Sequence, residues 1–359
     1  MNLIRCLVIG CALSGLSVAA DLERPQSIAS ALPYATPTVR FSSKADQVPL
    51  AGTLSLPKGC QRCPAMILLG VAGPNDRDLG FAGHRAFAVI ADALARVNVA
   101  TLRWDDRGVA ESGGDWSASG YQTLSNDAIS AFEFLRRHER IDPESIGFFG
   151  LSEGSLIAGM AAAQLGPTVR TVVLASPPGL AGADALALQF ESLLTLSGIS
   201  GDLAQAYRAS YEQFLELTRS AAADPAQLQA LSTFLTGPGK ALVPPYQFMP
   251  TDPAAQAQLF AGPWYQSQLD AQPLLHYSQI EAAVLLISGE KDLILPPAQH
   301  IPPIRRALPE AQARLYAGVS HLLQPSQGGG PAEYAQTRIT IAPELLEGLV
   351  DWVLAEMKP

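Results

Sequence analysis

The chain has 359 residues, 48% of them hydrophobic and 16% charged, with a formal net charge of −9. So much apolar material and so little charge exclude a disordered chain, and the length suffices for one large domain or a domain carrying an insertion. The acidic balance argues against nucleic acid as a partner, because phosphate binding calls for clustered Lys and Arg.

Residues 1–20 read as a secretory signal: Arg5 supplies the positive start, Cys6 to Val18 is an uncharged apolar run, and Ser17-Val18-Ala19-Ala20 offers small residues for cleavage near Ala19 or Ala20. The run falls short of the roughly 18–20 residues a membrane span needs, which favours a cleaved signal over an anchor. A lipoprotein reading at Val8-Ile9-Gly10-Cys11 is weaker, since little apolar segment precedes Cys11. With Arg5 gone, 23 basic residues face 33 acidic ones, a net charge of −10. The expectation is a periplasmic or secreted protein with no stable membrane insertion. Cys60 and Cys63 then remain as a C-x-x-C, expected to close a local disulfide in an oxidising compartment. A redox pair would open a helix, whereas this one lies between two strand-like runs. A zinc site would need a second pair of ligands.

Residues 21–37, rich in Pro, Ala and Ser, read as a leader to the domain. Thr38–Ser42 and Pro49–Leu56 predict a β-hairpin. From Ala65 short apolar strands alternate with helical runs: strands at Ala65–Gly70, Val99–Trp104, Ser145–Phe149, Thr171–Ser176, Ala283–Ser288 and Ala313–Tyr316. Phe87, Ile90, Ala91 and Leu94 recur at helical spacing, as do Leu124, Ala128, Ala131 and Leu135. Strand–helix alternation implies right-handed crossovers and an α/β class with a mostly parallel sheet, residues 38–176 and 283–359 forming its core. The strandless stretch 177–282 is too long for a connecting loop and reads as an inserted helical cap. Asp184 is expected to N-cap its first helix, which ends near Gly198. Leu203, Tyr207, Tyr211, Phe214 and Leu215 share one face of a second. Asp224-Pro225 starts a third, followed by a Pro-rich loop through Pro253.

Gly150-Leu151-Ser152-Glu153-Gly154 follows the strand Ile146-Gly147-Phe148-Phe149 and opens an apolar helical run. A serine at such a sharp strand-to-helix turn is held with its hydroxyl exposed, and flanking glycines permit the turn. The same turn aims the Glu153 backbone N–H at a developing oxyanion. A serine nucleophile needs a base and an orienting acid. Of five histidines, His138 ends a charged helix, His300 sits in a helix after Pro296-Pro297, and His84 and His276 show no partner pattern. His321 follows the last strand and Asp292 the one before it, with Glu290 as the alternative acid. Each lies past a strand's C-terminal end, where α/β sheets place their sites. The turn Gly70-Val71-Ala72-Gly73 is expected to supply the second oxyanion donor, Ala72 or else Val71. Asp76, Arg77 and Asp78, with Asp105, Asp106 and Arg107, read as ion pairs that fix two loops, or else as substrate-positioning groups. Tyr207, Tyr211, Phe214 and Trp264, with Phe190, Tyr246 and Phe248, are candidate pocket aromatics, although packing of the cap against the sheet is the favoured reading for any one of them.

These segments resemble the α/β-hydrolase family of bacterial esterases and serine-aminopeptidase-like proteins. The likeness runs through Leu50-Ala51-Gly52-Thr53-Leu54, Gly73-Pro74-Asn75-Asp76-Arg77-Asp78, Trp104-Asp105-Asp106-Arg107-Gly108, the serine turn, Gly289-Glu290-Lys291-Asp292 and Ser320-His321-Leu322-Leu323. Leu151 departs from it where many relatives carry His, and Ser155 where a second glycine is common. The resemblance implies Ser152, Asp292 and His321 as a catalytic triad. It implies ester hydrolysis through an acyl-enzyme, with a peptidase or aminopeptidase as the alternative and a non-catalytic binding protein less favoured. The substrate is then a small-molecule ester or peptide, and neither a metal nor an organic cofactor is required. The sequence carries no signature of a particular oligomeric state.

Overall fold

The computed structural model describes residues 24–29, 31–243 and 248–357, which form two compact units. The signal-like segment 1–20, with Cys6 and Cys11, lies outside the described residues. The larger unit comprises the described residues up to 116, then 122–180 and everything described from 272 on; the smaller comprises 117–121 and the described residues of 181–271.

In the larger unit the chain runs β1 (Tyr34–Ala35), β2 (Thr38–Ser42), β3 (Pro49–Pro57), β4 (Cys63–Leu69), β5 (Gly80–Phe81), β6 (His84–Arg85), α1 (Ala86–Arg96) and β7 (Ala100–Trp104). It continues through α2 (Tyr121–Arg136), β8 (Ile141–Leu151), α3 (Glu153–Leu165) and β9 (Thr171–Ala175). The smaller unit holds α4 (Gly182–Leu196), α5 (Gly201–Ala221), α6 (Pro225–Thr236), α7 (Pro253–Ala261) and α8 (Pro263–Leu269). The larger unit then resumes with α9 (Pro273–Tyr277), β10 (Ala283–Gly289), α10 (Pro297–Ala307), β11 (Gln312–Tyr316) and α11 (Pro343–Glu356).

The main sheet has the order β1-β3-β7-β4-β8-β9-β10-β11, with β2 also paired to β3. Pairings from β7 to β11 are parallel, while β1, β2 and β7 meet β3 antiparallel. Composition explains this layout. All five residues of β7 and of β9 are buried, as strands covered on both faces require, whereas the edge strand β11 is mostly exposed. On one face α1 and α11 place Phe87, Ile90, Leu345, Leu349 and Trp352 in one cluster with Leu68, Phe149, Val173 and Leu285 of the strands. On α2, Phe132 stacks on Phe148 of β8 with ring centroids 5.8 Å apart. Helix α3 carries only small and apolar residues in its first ten after Glu153, and Gly159 leaves room for Tyr277 of α9.

The leader segment is tied down rather than loose. Arg24 contacts the His84 ring and donates to the Thr337 and Ala82 carbonyls, and the Gln26 amide oxygen accepts from the Thr340 and Ile341 N–H groups. Tyr34 is buried and donates to Asp92. Cys60 and Cys63 form a disulfide at the start of β4.

Two helix starts differ in outcome. Asp224 caps α6 as expected, accepting from the Ala226 N–H at 2.8 Å, with Pro225 at the first helical position. Asp184 does not cap α4. That helix begins at Gly182, where a Cβ would stand 1.8 Å from the Gln268 carbonyl, so only glycine allows the chain to start there. Asp184 lies within the first turn, where its charge favours the helix dipole. The stretch after Gly239 also contains helices: Asp252 caps α7 through the Ala255 N–H, ahead of Pro253. Residues 272–282, which the sequence reading assigns to the insertion, lie in the larger unit.

Ion pairs fasten the loops that leave β4 and β7. Arg77 reaches Asp105 at 2.5 Å, Asp78 takes Arg103 at 2.8 Å and also pairs with Arg85, and Arg107 binds both Asp46 and Asp127 at 2.6 Å. Arg107 and Asp127 are 4% and 3% exposed at their side chains, so removing one partner leaves the other as a buried charge. Arg107→Met should therefore cost about 3–5 kcal/mol, read as a lower midpoint in urea unfolding. Arg107→Met/Asp127→Leu should recover most of that loss; a single variant as stable as the parent contradicts this account.

Candidate active site

Ser152 joins β8 to α3 with φ 58° and ψ −119°, a left-handed conformation that costs a non-glycine residue about 1–3 kcal/mol. Its neighbours hold it there. The Ser152 N–H donates to the Ala175 carbonyl at 2.9 Å, and the Ser155 hydroxyl lies 2.8 and 2.9 Å from the Gly150 and Ala175 carbonyls. Ser155, one of the two departures from the family pattern, thus stitches the turn closed. A Cβ on Gly150 would sit 2.1 Å from the Gly154 carbonyl, and one on Gly154 would sit 2.2 and 2.4 Å from the carbonyls of Leu69 and Gly70. Both glycines are needed for the elbow to press against the end of β4. Glu153 opens α3, in the first turn, where helical N–H groups point out of the helix end.

The loop after β11 returns His321 to this serine. His321 Nε2 lies 3.0 Å from Ser152 Oγ, and Nδ1 lies 2.9 Å from Asp292 Oδ2. Asp292 Oδ1 accepts the Ile294 and Leu295 N–H groups at 3.0 and 2.8 Å, leaving Oδ2 aimed at the ring. That arrangement puts the ring proton on Nδ1 and leaves Nε2 to accept from the serine hydroxyl. Asp292 and His321 are buried, while Ser152 keeps intermediate exposure. Glu290, the alternative acid, is exposed, and it is Asp292 that meets the ring.

Sequence reasoning missed Ser176. At the end of β9 it holds φ 44°, is buried, and donates its hydroxyl to the His321 carbonyl at 3.1 Å. Its position just past a strand end was the available signal. Three of the remaining histidines have other partners. His84 Nδ1 lies 2.8 Å from the Thr340 hydroxyl and Nε2 3.1 Å from the Tyr334 carbonyl. His138 Nδ1 accepts the Arg140 N–H, and His300 Nδ1 accepts the Gly179 N–H. Burial pushes His300 down to about 4, so it stays neutral at physiological pH.

The loop Gly70-Val71-Ala72-Gly73 stands beside the elbow, with Ala72 at intermediate exposure. Between loop and elbow is a cavity of about 30 Å³, lined by Val71, Trp104, Asp106, Trp116, Glu153 and neighbouring residues. It has room for a water-sized guest. Asp106 is the unusual member: burial pushes its carboxyl up to about 7, hydrogen bonds from Asn75 oppose the rise, and the negative Glu153 and Asp127 add to it. Asp76 instead ties its own loop, accepting from the Asp78 and Gly80 N–H groups. Among the described residues, no group of three or more His, Cys, Asp or Glu could hold a metal ion, and no helix is long and apolar enough to cross a membrane.

The expected pocket aromatics sort by burial within the helical unit. Phe214 and Trp264 are 2% and 1% exposed; Phe214 packs against Phe260 at 4.9 Å, and Trp264 against Phe248 at 5.9 Å. Side chains so enclosed are part of that unit's own core and present no surface to a substrate. Tyr211 stacks on Phe190 at 4.2 Å and stays half-buried, as does Tyr207. Tyr246 lies outside the described residues.

A mostly parallel sheet carries a strained serine, a buried carboxylate and a histidine past the ends of β8, β10 and β11, each on its own loop. The chain belongs to the α/β hydrolase fold family, whose model matches residues 79–326. A stretch of 108 residues is 29% identical to Esterase EstD of Thermotoga maritima, covering 30% of this chain and 26% of that relative. The chain thus matches only about a quarter of the relative's length. Est1E from Butyrivibrio proteoclasticus superposes with a TM-score of 0.52 at 13% identity, over 89% of this chain and 98% of its own. Dipeptidyl peptidase 4 of Porphyromonas gingivalis does so with a TM-score of 0.52 at 14% identity, over 90% of this chain and 35% of its own. At such identities the likeness is one of fold.

Asp106 gives this site a pH signature. A carboxyl near 7 in the folded state and near 3.9 when unfolded binds its proton more tightly in the folded protein, so its contribution to stability is lost as pH rises from about 4 to about 7. Asp106→Asn removes that dependence. The variant should gain on the parent across this window, by at most about 1.4 kcal/mol per pH unit in urea unfolding. A difference that stays flat from pH 4 to pH 7 contradicts the assignment.

Proposed function

We propose that the protein is a serine hydrolase that cleaves carboxylic esters through an acyl-enzyme on Ser152. The observation that carries this reading is the unbroken hydrogen-bond chain from Ser152 Oγ through His321 to Asp292, built on a left-handed elbow. His321 Nε2 takes the Ser152 proton as Oγ attacks the ester carbonyl. Asp292 holds the ring by Nδ1 and stabilises the imidazolium that forms. The Glu153 N–H, at the head of α3, and the Ala72 N–H then stabilise the tetrahedral oxyanion. His321 returns the proton to the departing alcohol, and water releases the acid by the same route in reverse. No step calls for a metal or an organic cofactor. The esterase names of EstD and Est1E support esters over amides as the substrate class. The apolar run led by Arg5 and the Cys60–Cys63 disulfide support an exported protein.

The test is steady-state kinetics on nitrophenyl esters of graded acyl length and on aminoacyl nitroanilides, with Ser152→Ala alongside. Ester turnover should dominate and fall about 10⁴- to 10⁶-fold in the variant. Turnover of anilides above esters moves the assignment to a peptidase, and ester turnover retained in Ser152→Ala refutes the mechanism.

A further inference from the structure

We propose that Asn75, anchored by Asp106, is a positioning residue for the oxyanion hole: it fixes the peptide between Val71 and Ala72 so that the Ala72 N–H is turned toward the serine elbow. The inference rests on the ester-hydrolysis reading above and concerns residues that take no part in proton transfer or attack.

The Asn75 side-chain nitrogen lies 2.6 Å from the Val71 carbonyl oxygen and 2.7 Å from that of Gly73. Its two hydrogens are thereby committed to two carbonyls of the oxyanion loop. The Val71 carbonyl and the Ala72 N–H belong to one planar trans peptide, in which the two groups point opposite ways. Holding the carbonyl on Asn75 therefore drives the Ala72 N–H to the far side of the loop. The Gly73 carbonyl belongs to the bond with Pro74, which has no N–H to offer. That second contact sets the curvature of the loop, and Gly73 at φ 111° accommodates it. This geometry selects Ala72 over Val71 as the donor.

Asp106 holds Asn75 in turn. Its N–H donates to the Asn75 carbonyl at 3.0 Å, and its Oδ2 accepts the Asn75 backbone N–H at 2.8 Å, with the side-chain nitrogen 3.2 Å away. Asp106 lies just past the end of β7, so the clamp ties the oxyanion loop to the neighbouring strand of the sheet. Two glycines make room. A Cβ on Gly70 would stand 3.2 Å from the Asn75 amide nitrogen, and one on Gly154 would collide with the carbonyls of Leu69 and Gly70. Loop, clamp and elbow are thus in direct contact, and the polar amide does a task that a packing residue could not.

Asn75→Asp keeps the side-chain shape and removes both donors; Asn75→Ser avoids a second carboxylate beside Asp106 and removes the amide. Each is compared with the parent for kcat and KM on a nitrophenyl ester. Each is also compared for inhibition by an aryl trifluoromethyl ketone, whose hemiketal with Ser152 carries an oxyanion. In that adduct Ser152 Oγ bonds the ketone carbon and its proton passes to His321, with nothing else consumed. Both variants should lose about 10²- to 10³-fold in kcat, with KM within a few-fold of the parent and ketone inhibition weakened alongside. Asn75→Asp/Asp106→Asn restores a hydrogen bond between the two positions but none to the loop carbonyls, and should stay impaired. Recovery in that double variant, unchanged ketone inhibition, or a loss confined to KM overturns the proposal. Ester turnover at the parent level in a folded Asn75→Ser overturns it alone. Absence of Ser152-dependent turnover in the parent overturns the ester reading and this proposal together.

Discussion

Ser152 occupies a backbone conformation that a side chain normally avoids, and the surrounding architecture is what holds it there. The cost of about 1–3 kcal/mol is offset by hydrogen bonds worth about 1 kcal/mol each, one from the Ser152 N–H to Ala175 and one from the Ser155 hydroxyl, whose single proton lies between the carbonyls of Gly150 and Ala175. Those acceptors exist because β8 and β9 are adjacent parallel strands in register, Leu151 opposite Ala175. Glycine at 150 and 154 lets the helix start close against β4. Sheet order, strand register and small residues therefore converge on one partly exposed hydroxyl. The histidine and aspartate reach it from later strand ends.

Charge is used differently in the loops than along the Ser152–His321–Asp292 chain. Arg77, Arg103 and Arg107 each pair with a buried or half-buried carboxylate and hold loops at the C-terminal edge of the sheet. Asp106 accepts from the Asn75 backbone N–H and is pushed up to about 7 by burial. Committing a desolvated carboxyl to a backbone N–H makes sense where the orientation of a neighbouring peptide matters more than the energy of the contact. The Asn75–Asp106 clamp beside the elbow is such a place.

Much of this was legible in the sequence because the signals are local. Val- and Leu-rich runs bounded by turn residues marked the strands, and Gly150 to Gly154 after a strand marked the elbow. Asp292 and His321 stood out by their places after β10 and β11. What stayed hidden depends on contacts between distant residues. Ser176 looks like any strand-terminal serine until the His321 carbonyl is seen above it. Asp184 has the right chemistry for a cap, yet close approach to the Gln268 carbonyl moves the start of α4 to Gly182. Phe214 and Trp264 are aromatic and regularly placed, and that pattern does not separate a lining from a core; their burial does. Helix α7 was hidden for another reason: Asp252-Pro253 repeats the start seen at Asp224-Pro225, but the prolines before it masked the resemblance.

The most direct test of the central claim is covalent labelling by a fluorophosphonate, which reacts with a serine activated by a neighbouring base, followed by peptide mapping. One adduct per chain, on Ser152, is the predicted result, with labelling abolished in Ser152→Ala and strongly slowed in His321→Ala. An adduct on another residue, or labelling that proceeds at the parent rate without His321, would contradict the account.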